Sequence, residues 1–217
     1  MASFGILCLG TRTDAETWRT GAVKLGFEDN GASITGPSPT MDKLRKFFGT
    51  SADWVFFGGH FIDHLYNDRE TIHVYLNSDE VKLKVDGETE TIKRTDGSNF
   101  KLRPKVIFWG GCSVLHRAGQ IKATQELFNN PLQLGFGGLT GPKIMNALLG
   151  KGFIPEDRAF FSRIKDRDDR EQVRQAWMET ANWGYGGGEI EDNFRAVDPD
   201  GKIWGLSNKK IKELPEP

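Results

Sequence analysis

Cysteine is nearly absent from this chain: Cys8 and Cys112 are the only two in 217 residues. Two thiols exclude a disulfide-built scaffold and are too few for a zinc cluster. Apolar runs long enough to cross a bilayer are missing as well. Met1 to Phe4 lacks the charged-then-apolar pattern of a secretory leader. The expectation is a cytoplasmic protein with reduced thiols and no membrane partner. Charge of one sign is lacking too, with 29 basic against 30 acidic residues and a net charge of −1. That balance makes no electrostatic case for nucleic acid as a partner. No repeat and no linker divides the sequence, so one domain over 1–217 is expected. Its core would span about 4–150, with a helical and hairpin extension over about 155–208.

What the sequence does contain is a pair of rhyming stretches. Asp53-Trp54-Val55-Phe56-Phe57-Gly58-Gly59-His60 and Lys105-Val106-Ile107-Phe108-Trp109-Gly110-Gly111-Cys112 each run from apolar residues into two glycines and a reactive side chain. Short apolar runs rich in β-branched and aromatic residues and bounded by glycine read as buried strands. Phe4–Leu9 and Leu132–Phe136 read the same way, and Ala32–Thr35 as a shorter one. Helices are expected over Asp14–Leu25 with Thr13 as cap, from Ser38-Pro39 to Phe48 with Ser38 as cap, over Gly119–Asn129, and over Pro142–Leu149. Strands alternating with helices predict an α/β fold: a mostly parallel sheet flanked by helices on both faces.

Between the two glycine pairs the period changes to two. Ile72–Leu76, Val81–Val85 and Glu90–Lys93 alternate apolar with polar residues, and Asp86-Gly87 suits a tight turn. A small antiparallel hairpin insertion with one wet face is expected. Further on, Pro155–Ala181 reads as helical, with equal numbers of acids and bases between Glu156 and Arg174. Trp183–Gly188 reads as a glycine-rich aromatic loop. A hairpin is expected around Asp198–Gly201, and Lys209–Pro217 reads as a loosely held tail.

Thiol and imidazole together are the groups that covalent acyl transfer requires. The thiolate attacks, and the imidazole takes up and returns a proton. If the two strands are neighbours in a parallel sheet, His60 and Cys112 leave it side by side at the carboxyl edge, where open α/β sheets place ligands. Glycine beside each allows close approach of bare N–H groups to a developing oxyanion. Gly59, Phe61 and Gly111 are the backbone candidates for that role. The loop Gly137–Gly141, with Gly137 and Gly138, and the aromatic loop with Trp183 and Tyr185 are candidates to line a substrate cleft.

The order strand, helix, strand, helix, strand with His, hairpin, strand with Cys resembles the caspase and hemoglobinase-type (clan CD) cysteine peptidases. Trp54–His60 and Arg103–Cys112 carry the resemblance, which covers roughly Phe4 to Leu149. In that family Gly usually follows the imidazole and Ala often precedes the thiol; here Phe61 and Gly111 stand at those positions. The resemblance implies a caspase-like fold and a peptidase with Cys112 as nucleophile, His60 as general acid and base, a protein or peptide substrate, and no cofactor. A non-catalytic binding module of the same fold and a thiol-dependent amidase are the other readings the dyad leaves open.

Other constellations point elsewhere only faintly. His60 and His64 share the i, i+4 spacing of helical metal ligands, but no Glu follows His60, and no metal site is expected. Arg117 falls one residue short of a cysteine phosphatase loop. Gly135–Lys143 lacks the Gly-Lys-Ser/Thr of a nucleotide loop. Cys8 reads as core, His116 as the fallback base, and Glu189 and Asp192 as solvated acids.

Overall fold

Strands with no polar side to offer must be covered on both faces, and this requirement organises the molecule. The computed structural model describes residues 1–10, 13–139 and 141–217. In chain order come β1 (Ser3–Cys8), α1 (Thr13–Lys24), β2 (Glu28–Asp29), β3 (Ile34–Thr35), α2 (Met41–Phe48) and β4 (Trp54–Gly58). Five short strands follow: β5 (His60–Phe61), β6 (Leu65–Tyr66), β7 (Ile72–Leu76), β8 (Glu80–Val85) and β9 (Glu88–Lys93). Then come β10 (Val106–Trp109), α3 (Ala118–Phe128), β11 (Leu132–Phe136), α4 (Pro142–Leu148), α5 (Phe160–Arg163) and α6 (Arg170–Tyr185). The last strands are β12 (Phe194–Val197), β13 (Ile203–Ser207) and β14 (Lys210–Leu214).

The main sheet has the order β14-β13-β12-β11-β10-β4-β1-β2, with β3 also paired to β1. Pairings from β2 through β11 are parallel, and those of β12, β13 and β14 are antiparallel. The fold is therefore a mixed α/β architecture with a mostly parallel central sheet. Strand alternation divides its core in two. Trp54, Phe56, Val106 and Phe108 face one side with Trp18 of α1 and Phe160, Val173 and Trp177 from α5 and α6. Val55, Phe57, Ile107 and Trp109 face the other with Leu44 and Phe48 of α2 and Leu127 and Phe128 of α3. Trp18 is wholly buried among the rings of Phe4, Phe56, Phe108 and Phe161, at centroid separations of 5.3 to 6.4 Å.

β5 to β9 form a second, antiparallel sheet in that order. Its inner face, with Leu65, Val74, Val81, Leu83 and Ile92, packs into the core shared with α2 and α3. The turn at its β8–β9 hairpin is the expected one, with Asp86 and Gly87 at φ 49° and 93°. Two consecutive positive φ values suit a type I′ hairpin and favour this residue pair.

Several local expectations change. Thr40, not Ser38, caps α2, accepting a hydrogen bond from the Lys43 amide. Ser38 and Pro39 lie in the loop that leads into the helix. Pro155–Ala181 is not one helix but a short turn at Glu156–Arg158, then α5 and α6. Asp169 starts α6 anew by accepting from the Glu171 and Gln172 amides, the role short carboxylates take at caps. Trp183 and Tyr185 lie on the last turn of α6, not in a loop. The C-terminal tail is not loose, because β14 pairs with β13 through a turn at Asn208 and Lys209, both at positive φ. α1 already includes Thr13, which was expected as its cap, and Thr11 and Arg12 lie outside the described residues.

Candidate active site

Register brings the two motifs together. β4 and β10 are adjacent and parallel, with Phe57 opposite Trp109. Those two rings stack at 4.9 Å and 18° in the buried core. Cross-strand aromatic pairs of this kind pin register. Three residues beyond the pinned pair, both chains reach their reactive side chain: His60 on one, Cys112 on the other. Trp109 is held further by its indole N–H, which donates to Gln133 Oε1 at 2.9 Å, and Thr124 donates to the same oxygen at 3.0 Å. The rim of the site thus rests on a buried polar cluster centred on the Gln133 side-chain oxygen.

Past the strands the chains turn differently. Gly59 takes φ 143° and passes the chain from the main sheet into β5 of the second sheet. A side chain there would press on Leu65 and on the Tyr66 carbonyl at 3.0 Å, so only glycine fits both the angle and the space. On the other chain Gly110 N–H donates to the Phe57 carbonyl at 2.7 Å. Ser113, next to Cys112, is held at φ 54°, and its N–H donates to the Gly138 carbonyl at 2.8 Å. A non-glycine residue in the left-handed region directly beside the thiol is the kind of strain that collects at working sites.

The two turns touch. A Cβ built on Gly111 would lie 2.9 Å from Phe61 Cβ and 3.3 Å from the Gly59 carbonyl oxygen. Phe61 itself is 4% exposed, with its ring against Trp109. It lies beneath the rim, not across it. An ion pair between Asp63 and Arg117 joins the loop after His60 to the loop after Cys112.

His60 is half exposed, at 55% of its side chain, and its Nε2 lies 2.5 Å from Asp68 Oδ1. The imidazole also stacks on Tyr66 at 5.3 Å. With Nε2 engaged by the carboxylate, Nδ1 is the nitrogen left for proton exchange. Asp68 was not anticipated from the sequence. The signal was the missed hairpin, in which β5 and β6 pair His60 with Tyr66 and return the chain towards the imidazole.

Cys112 is partly exposed, whereas Cys8 is 1% exposed within β1, as expected of a core thiol. Gly138 is joined to the Cys112 loop through Ser113, while Gly137 sits over Arg195 and donates to the Asn193 carbonyl at 2.7 Å. Thr140 of the same loop lies outside the described residues. Trp183 and Tyr185 make their ring contacts around the end of α6. Trp183 lies under Arg158, and Tyr185 packs on Phe194 and Phe153, where burial raises its phenol pKa. His116 lines a cavity with Arg195, Ile203 and Leu214, on the β12–β14 side of Cys112. His60 and His64 are on a strand and a turn, so they lack the helical phase for shared metal binding. Among the described residues no group of three or more His, Cys, Asp or Glu could hold a metal.

No protein-family model, curated protein or solved structure matches this chain. Among the described residues, no helix is long and apolar enough to cross a membrane.

Proposed function

We propose that the protein is a cysteine endopeptidase of caspase-like fold working through Cys112 and His60. The observation that carries this reading is the shared register, which sets thiol and imidazole three residues past one stacked aromatic pair at the carboxyl edge of adjacent parallel strands. The order of elements around that pair, with an antiparallel insertion between the strand of His60 and the strand of Cys112, supports this reading.

In this mechanism His60 takes the Cys112 proton, and the thiolate attacks the scissile carbonyl. The tetrahedral oxyanion is held by main-chain N–H groups from the Gly111–Cys112 turn and from the Gly59–Phe61 turn. His60 returns the proton to the departing amine, leaving a thioester on Cys112. Water, deprotonated by His60, then hydrolyses that thioester. Asp68 holds the imidazole through Nε2, the part an orienting carboxylate plays in such triads.

The test compares wild type and Cys112→Ala against a fluorogenic peptide library varied at the residue before the cut. Wild type should cleave a subset, and the variant should lose about a thousandfold or more while keeping its circular dichroism. Iodoacetamide should label Cys112 in preference to Cys8. Equal turnover by both proteins, or thiol-dependent turnover of small amides alone, would overturn the endopeptidase assignment. No turnover of any peptide by wild type would instead favour a binding module.

A further inference from the structure

The second sheet has an outward face that begins at the proposed catalytic imidazole. Its ladder runs from His60 to Tyr66, then His73, Lys84 and Thr89, each directly opposite the next. The neighbouring row pairs Tyr75 with Lys82 and Lys82 with Thr91. Near His60 the face is built of rings: Tyr66, His64, His73 and Tyr75 are joined by ring contacts of 4.4 to 6.2 Å, centroid to centroid. Farther out it turns basic. Lys82, Lys84 and Lys93 are exposed, and none is ion-paired among the described residues.

Carboxylates border this face: Asp79 and Asp86 stand at its turns and Glu88 lies opposite Val85, while others are engaged. Asp68 is held by His60, Asp63 by Arg117, and Glu90 is drawn to Arg45 on α2. Glu70 stands at the β6–β7 turn, and Glu80 faces Lys93 at the far end of the sheet. The outward rows of this sheet thus pass from the rings beside His60 to the exposed lysines Lys82, Lys84 and Lys93.

We propose that this face docks the substrate, and that the substrate is an extended polypeptide with acidic residues on one side of the scissile bond. The inference rests on the peptidase reading for its starting point at His60. Strand spacing sets the position of the acids. Three steps of about 4.8 Å separate His60 from Lys84, and an extended peptide covers that distance in about four residues. Asp or Glu three to five positions from the cleaved bond would meet Lys84 and Lys82, while the intervening backbone lies over Tyr66 and His73. Rings of this kind supply rigid contact area at low entropic cost.

The experiment measures binding apart from turnover. Fluorescence anisotropy with Cys112→Ala as the base protein would follow an Asp/Glu-bearing peptide, its Gln/Asn counterpart, and an oligo(dT) of similar length. Expected is a preference for the acidic peptide that weakens with salt and falls about tenfold in K82E/K84E, with no change in the thermal melt. K82A/K84A should give a smaller loss in the same direction. In the active protein the same lysine changes should raise KM and leave kcat nearly unchanged. Equal binding of acidic and amide peptides would overturn the proposal. So would indifference to the lysine changes, or preferential capture of oligo(dT), which could use the same rings and cations. If wild type cleaves nothing yet the lysine-dependent binding persists, the peptidase reading fails and the docking face stands.

Discussion

At the residue scale, the two departures from the clan CD pattern explain one another. Phe61 follows the imidazole where Gly is usual, and Gly111 precedes the thiol where Ala is frequent. In the folded chain the missing methyl of Gly111 would fall 2.9 Å from Phe61 Cβ, so the larger residue on one turn requires the smaller on the other. Gly111→Ala should cost about 1–3 kcal/mol through overpacking and displace the Cys112 turn. In a Phe61→Gly background, already weakened by the lost ring, the same change should cost much less. A double-mutant cycle by urea unfolding reads the coupling directly, and additive effects would show that the contact does not matter.

At the scale of elements, the hairpin of β5 and β6 with β7 behaves as a support for the site. His73 Nε2 lies 2.7 Å from the Glu70 carbonyl, which can only accept, so that nitrogen carries the proton. His64 Nε2 then donates to His73 Nδ1 across 2.8 Å when both rings are neutral. Burial, and secondarily the nearby His73, lower the His64 pKa. A histidine depressed in the folded state gives stability that is complete above its unfolded value of about 6.5 and is lost as pH falls through it. Hydrogen exchange of β6 and β7, corrected for the intrinsic rate of each amide, should therefore accelerate as pH falls below about 6.5. In His64→Asn that acceleration should be smaller; an identical pH response in both proteins would remove His64 from the explanation.

For the whole molecule, the sheet is closed on one side by an element that composition disguises. β14 is rich in lysine, yet Ile211 packs on one core and Leu214 on the other. Truncation after Ser207 should cost about 1–3 kcal/mol, from partial burial of two aliphatic side chains and a lost ladder. It would also bare the edge of β13, so concentration-dependent association should follow. Urea melts and light scattering measure both effects, and an unchanged melt would mean that β14 is only appended.

Residue order alone determined the buried strands, the alternating insertion and the two Gly-Gly motifs, because apolar runs and their period depend on neighbours along the chain. Cys8 as core and the β8–β9 turn at Asp86-Gly87 were legible for the same reason. The tertiary structure alone decided that Asp68 reaches His60, that Phe61 sinks beneath the rim, and that Trp183 and Tyr185 belong to α6. These outcomes depend on pairing register and on space shared by distant segments. The two-residue strand that carries His60 has too few residues to show any period, so its hairpin and the face that starts there emerge only once the sheets are assembled.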